Sequence, residues 1–262
     1  MIKVSHEVPI NLLEKSKLFN DYDYCLPHLL DENEDYKHFF LSADSMSRYT
    51  IMDNSLHELG EAYNTERLMY WIQMLNPNEF IVPDVWEDME SSVNNAKEWI
   101  NIKLPKGVEK VAVIQAKTLN EAFICTEEYK KLGYKKIAYS YGASYYNDIC
   151  PHPNKDLGKA LGRLYVITTL YNQKALTEND RVHLLGCSVP QEFSWYRGIK
   201  CIESLDTSNP IMAAIEKMWY DEHGLFSKPT ANMKDNVKGG ENIHPDILDW
   251  NISMFRKINN LK

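Results

Sequence analysis

The sequence predicts an α/β protein: a (β/α)8 TIM-like barrel with irregular first units, occupying residues 1–262 as a single barrel domain. Three observations lead there. Eight short apolar runs, each bounded by polar or small residues, read as strands buried on both faces. Amphipathic segments with apolar residues at helical spacing lie between the later runs. Most runs also end in a carboxylate, an amide or a glycine. Strands alternating with helices require parallel pairing and crossover helices, and eight such units close a barrel. An open doubly wound sheet is the alternative topology.

Taken in order, the predicted strands are YDYCLP (22–27), KHFFLSAD (37–44), YTIMDNS (49–55), EFIVPDVW (79–86), KVAVIQA (110–116), KIAYSYG (136–142), VHLLGCS (182–188) and IKCIESLD (199–206). The first three lie roughly a dozen residues apart, so their crossovers must be short or irregular. The first clear helix is Thr65–Leu75, with Leu68, Trp71, Ile72 and Leu75 on one face. Met89–Ile102, Leu119–Leu132, Leu157–Leu176, Pro210–His223 and Pro245–Leu261 follow the same rhythm. The stretch 226–246, with a Gly pair, prolines and lysines among few apolar residues, reads as a loop.

The bulk numbers bound the function. A chain with 44% hydrophobic and 25% charged residues is an ordinary globular one. No apolar run approaches the length of a membrane span, and the first residues lack an apolar signal core. The five cysteines are scattered and form no CxxC pair, so a cytoplasmic protein with reduced thiols and no metal motif or cofactor is expected. The net charge of −8 argues against a sequence-blind nucleic-acid coat and leaves room for a local basic rim. Sixteen tyrosines and six tryptophans serve a core or stack on bases.

In a parallel barrel the active site lies at the C-terminal ends of the strands. Those ends give Asp44, Asp53, Asp84, Gln115, then Tyr139, Tyr141 and Gly142, then Gly186 and Ser188, and finally Asp206. An aspartate at a strand end also serves as a helix cap, but Ser208 or Asn209 could cap the helix after Asp206 without it. Four converging carboxylates repel unless they bind a cation, share protons or hydrogen-bond a ligand. Paired carboxylates are the equipment for breaking a glycosidic bond. A Mg²⁺ ion held by Asp44, Asp53 and Asp84, in a barrel enzyme acting on a small substrate, is the rival reading.

The order and spacing of these motifs resemble the tRNA-guanine transglycosylase superfamily, nearest to its DNA-modifying, deazaguanine-inserting branch. YTIMDNSLHELG stands where the family has a strand ending in Asp-Ser-Gly-Gly, so Asp53 matches the Asp. FIVPDVWED matches a strand whose Asp, here Asp84, reads the base edge, and VAVIQAK matches one ending in Gln, here Gln115. VHLLGCSVPQE is similar to the family's Leu-Met-Gly strand, and IKCIESLDTSNP to the strand carrying the nucleophilic Asp, here Asp206. The resemblance spans roughly residues 37–220. It departs from the pattern in three places. Asn54, Ser55 and Leu56 replace the residues that include the double glycine, Pro210-Ile211-Met212 replaces Pro-Thr-Arg, and the C-terminal zinc cluster is missing.

The resemblance implies a nucleic-acid glycosylase or transglycosylase acting on a flipped-out base, with Asp206 attacking C1′ and Asp53 managing protons. Asp84 and Gln115 would hold the base edge, with Tyr139, Tyr141, His57, Gly186 and Asp44 as further substrate contacts. The departures point to DNA rather than tRNA, and to excision of a modified base, as in defence against phage, over base exchange. Phosphate contacts are expected from Lys155, Lys159, Arg163, Arg197, Lys228, Lys234 and Lys238. No membrane partner is expected, and a homodimer is compatible with the family. Lys136, grouped with Lys130, Lys131 and Lys135, reads as a solubilising lysine.

Overall fold

The computed structural model describes residues 2–238 and 243–261. The fold is α/β, a (β/α)8 TIM-like barrel. Its strands are β1 (Lys3–Ser5), β2 (Asp23–Cys25), β3 (Thr50–Met52), β4 (Glu79–Ile81), β5 (Glu109–Ile114), β6 (Lys136–Ser140), β7 (Arg181–Leu185) and β8 (Ile202–Asp206). The sheet order is β1-β8-β7-β6-β5-β4-β3-β2. This is a cyclic order with no reversal, whereas a doubly wound sheet reverses direction at a switch point.

Two of the strand expectations change. KHFFLSAD is not a strand. Residues Glu34–Leu41 form a helix, because Asn33 caps it by accepting the Tyr36 N–H at 2.9 Å and Tyr36, Phe39 and Phe40 fall on one buried face at helical spacing. Ser42 then caps the short helix Ala43–Met46, whose exposed first turn carries Asp44. The strand missing from the sequence reading is β1, whose three residues Lys-Val-Ser are too short to show a period; it pairs with β8, with Ser5 opposite Asp206.

The chain divides into two compact units. One comprises residues 21–139 and holds β2 to β5 with most of β6, joined by parallel pairings. Its helices Thr65–Leu75, Met89–Asn101 and Leu119–Leu132 lie close to the predicted bounds. Each starts on a side-chain cap: Asn64, Asp88 and Thr118 accept N–H groups of the first turn. The third ends on Gly133, whose φ of 94° suits a left-handed C-terminal residue. Lys136 is not a surface lysine. It is 1% exposed and donates to Glu79, itself fully buried, at 2.6 Å, while the Tyr49 hydroxyl donates to the other Glu79 oxygen at 2.6 Å.

The second unit comprises residues up to Asn20 together with those from Ser140 onward, and holds β1, β8 and β7. Its helices include Lys155–Asn172, Asn209–Ile215 and Pro245–Asn259. The helix after β8 is shorter than expected and ends near Ile215. Ile211, Met212 and Ala214 pack with Met233, Ile247, Leu248 and Ile252. Met233 comes from a single helical turn, Met233–Asn236, inside the stretch read as a loop; residues 239–242 of that stretch lie outside the described residues.

Candidate active site

In the unit of residues 21–139, three consecutive strands deliver polar side chains just past their C-terminal ends. Asp53 follows β3, Asp84 lies in the loop after β4, and Gln115 follows β5. All three are buried, Asp53 at 9% exposure and the others at 4%. Asn54 Nδ2 donates to Asp84 Oδ1 at 2.5 Å, and Gln115 Nε2 donates to Asp84 Oδ2 at 2.6 Å. Gln115 Oε1 in turn accepts the Glu87 N–H at 2.9 Å. Burial pushes the Asp84 carboxyl up to about 7, against the Gln115 and Asn54 donors and with help from the Asp53 charge. Burial also raises Asp53, although Asp53 Oδ2 accepts the Ser55 N–H at 3.1 Å.

Ser55 stands where the resembled family has a glycine, and its φ of 62° lies in the left-handed region. The constraint that glycine relieves is therefore present here, carried by a serine. Compensation comes from the Ser55 hydroxyl, which hydrogen-bonds His28 Nδ1 at 2.8 Å, and from its N–H on Asp53. A second non-glycine residue at positive φ, Glu87 at 49°, shapes the loop after β4, where Trp86 remains 39% exposed.

In the other unit, Asp206 is the last residue of β8 and is 3% exposed. His183 Nε2 lies 2.9 Å from its Oδ1, and the Gly186 N–H donates to its Oδ2 at 3.4 Å. His183 Nδ1 lies 2.8 Å from Ser204 Oγ. Asp206 makes no cap for the following helix, whose N-cap position is Ser208. Gly186 has a φ of 60°, and a Cβ there would strike the Tyr141 ring. No protein-family model matches the chain, and no curated protein matches its sequence.

Several expected contacts are placed elsewhere. Tyr139 is fully buried, and its hydroxyl pairs with Thr126 Oγ1 at 2.9 Å on the helix Leu119–Leu132, so it faces the helical layer. Arg163 is fully buried and is no phosphate ligand: it donates to Glu192 at 2.6 Å, to Leu185 O at 2.9 Å and to Gly186 O at 2.8 Å. A guanidinium free of water must find such acceptors, and here they hold the loop that bears Gly186. Tyr145 and Tyr146 are buried against each other, with ring centroids 4.6 Å apart. Asp44 sits on an exposed helical turn, so it does not complete the three-aspartate magnesium set. Among the described residues no group of three or more His, Cys, Asp or Glu side chains could hold a metal ion.

The remaining candidates lie nearer solvent. His57 is exposed on the short helix Leu56–Leu59. Lys155, Arg197, Lys234 and Lys238 are exposed, while Lys159 donates to Gly142 O at 3.3 Å. Lys228 is half-buried, with Nζ 4.2 Å from the centroid of the Tyr141 ring and hydrogen-bonded to its hydroxyl. Sequence reading missed His183, Ser204, His28 and the bridging role of Asn54. The signal for His183 and Ser204 was a polar residue inside an otherwise apolar strand, one on each of two strands that proved to be neighbours.

Proposed function

We propose that the protein breaks the N-glycosidic bond of a base in DNA, with Asp206 as nucleophile, and releases a modified base by excision. One observation carries the reading: the strand-end carboxylates sit in opposed environments. Asp206 has an N–H donor or imidazole at each oxygen, the setting of an ionised carboxylate. Asp84 and Asp53 are pushed toward the protonated form by burial. Glycosidic cleavage needs that division, one carboxylate to attack and another group to move protons.

In the first step an Asp206 oxygen bonds to C1′ as the C1′–N bond breaks, and the departing base takes its electron pair and a proton. Asp53 supplies that proton. In the second step water bonds to C1′, the O–C1′ pair returns to Asp206, and the water proton passes to Asp53. Asp84, set by Asn54 and Gln115, meets the base edge. The target nucleotide must leave the duplex stack for C1′ to be reached.

The test is an abasic-site assay. Wild type and Asp206→Asn are incubated with ordinary DNA, with hydroxymethylated and glucosylated phage DNA, and with bulk tRNA. Released base is read by mass spectrometry, and strand breaks after mild alkali. Release by wild type alone supports the proposal, and the responding polymer names the substrate. Release by both proteins removes Asp206 from the role of nucleophile. Release by neither overturns excision.

A further inference from the structure

Resting on that reading, we propose that Ser204 and His183 act as a positioning relay that fixes Asp206 as an ionised nucleophile and selects Oδ2 as the attacking atom. The chain of contacts runs from Ser204 Oγ to His183 Nδ1 at 2.8 Å and from His183 Nε2 to Asp206 Oδ1 at 2.9 Å. Ser204 is 2% exposed and His183 1%, so neither contact competes with bulk water. The sheet fixes the geometry: β7 and β8 pair in parallel with His183 directly opposite Ser204 and Leu184 opposite Leu205, past an irregularity in register between Val182 and His183. Ser204 and Asp206, two residues apart, face the same side of β8, and the imidazole spans them.

Two proton placements satisfy these distances. In one, the serine hydroxyl donates to Nδ1 and Nε2–H donates to a carboxylate. In the other, a protonated Asp206 donates to Nε2 and Nδ1–H donates to the serine. The Gly186 N–H on Oδ2 favours the first, because a backbone donor at the second oxygen stabilises the charged form. With Oδ1 tied to the imidazole, Oδ2 is the atom that bonds to C1′. The proton stays on Nε2 throughout, so the relay adds nothing to the proton balance of the two steps.

The first test needs no substrate. Long-range ¹H–¹⁵N spectra of the ring-labelled wild-type protein report whether Nε2 of His183 carries a proton; a bare Nε2 overturns the proposal even if the variants fail to fold. The second compares His183→Phe with His183→Gln under single turnover. Phe is expected to lower the rate of base release about 100-fold with DNA affinity unchanged, as for a misaligned reacting group. Gln, which keeps an N–H donor, is expected to recover part of that loss. A wild-type rate in His183→Phe, or no difference between the two variants, overturns the relay. Absence of base release by wild type overturns the glycosidic reading alone and leaves the Nε2 measurement to decide the proton placement.

Discussion

Asn54 ties together the loops that follow two adjacent strands: its Nδ2 donates to Asp84 Oδ1 at 2.5 Å and to Val82 O at 2.9 Å, while its Oδ1 accepts the Leu56 N–H at 2.9 Å. Both amide hydrogens are used, so the side chain is a bracket for Asp84 and has no donor left for a ligand. Asn54→Ala strips a buried carboxyl and a buried carbonyl of a donor at once. The expected cost is about 2–3 kcal/mol of stability, read from urea unfolding. Asn54→Asp should cost more, because it places a third carboxyl beside Asp84 and Asp53.

Asp84 makes stability depend on pH in a direction opposite to that of an ordinary salt-bridged aspartate. Its carboxyl is raised from 3.8 to about 7 in the folded protein. Between those values the folded state holds a proton that the unfolded state has released. The contribution of Asp84 is therefore fully present below about pH 3.8 and is lost as pH rises through about 7. The loss is of order ~4 kcal/mol. Asp84→Asn removes this titration, so the stability of wild type relative to the variant should fall between pH 4 and pH 8. Urea melts across that range check the slope, and a gap that stays constant or widens with pH would show Asp84 to be ionised throughout.

Ser55 allows an ordering to be predicted. Its left-handed φ of 62° costs roughly 1–2 kcal/mol for a residue with a Cβ, and its hydroxyl returns about 1 kcal/mol through His28. Ser55→Gly loses the hydrogen bond and relieves the backbone, so it should lie within about 1 kcal/mol of wild type. Ser55→Ala loses the bond and keeps the strain. It should be less stable than Ser55→Gly by about 1 kcal/mol or more in thermal or urea unfolding.

Much of this was legible in the sequence because the signals were local. Seven of the eight strand expectations fell on strands, since apolar runs ending in Asp, Gln or Gly carry their own boundaries. The helix from Thr65 needed only its cap and its 3.6-residue stripe. KHFFLSAD failed because Phe39 and Phe40 suit a strand as well as a helix, and the deciding Asn33 cap lay outside the window. Tyr139 and Arg163 failed for another reason. Both were placed near strand ends by sequence position, but side-chain direction depends on the layer each meets, and only tertiary packing reveals Thr126 and Glu192. The Lys136–Glu79 pair is of the same kind: its partners are 57 residues apart. The His183–Asp206 contact required the β7–β8 register, which no periodicity encodes.

The reassignment of Arg163 separates stability from nucleic-acid affinity. Arg163→Met leaves Glu192 buried without its cation and frees the Leu185 and Gly186 carbonyls, at an expected cost of about 3–5 kcal/mol. The double variant Arg163→Met, Glu192→Leu should recover much of that, because removing both charges removes the uncompensated one. DNA affinity should respond differently. Each phosphate contact contributes about 0.9 to the slope of log affinity against log salt, so Lys155→Ala and Lys234→Ala, at exposed positions, should each lower it by about that amount. Arg163→Met, measured below its unfolding range, should leave the slope unchanged. Titrating labelled DNA at several salt concentrations checks both statements, and a lower slope for Arg163→Met would return that guanidinium to the phosphate contacts.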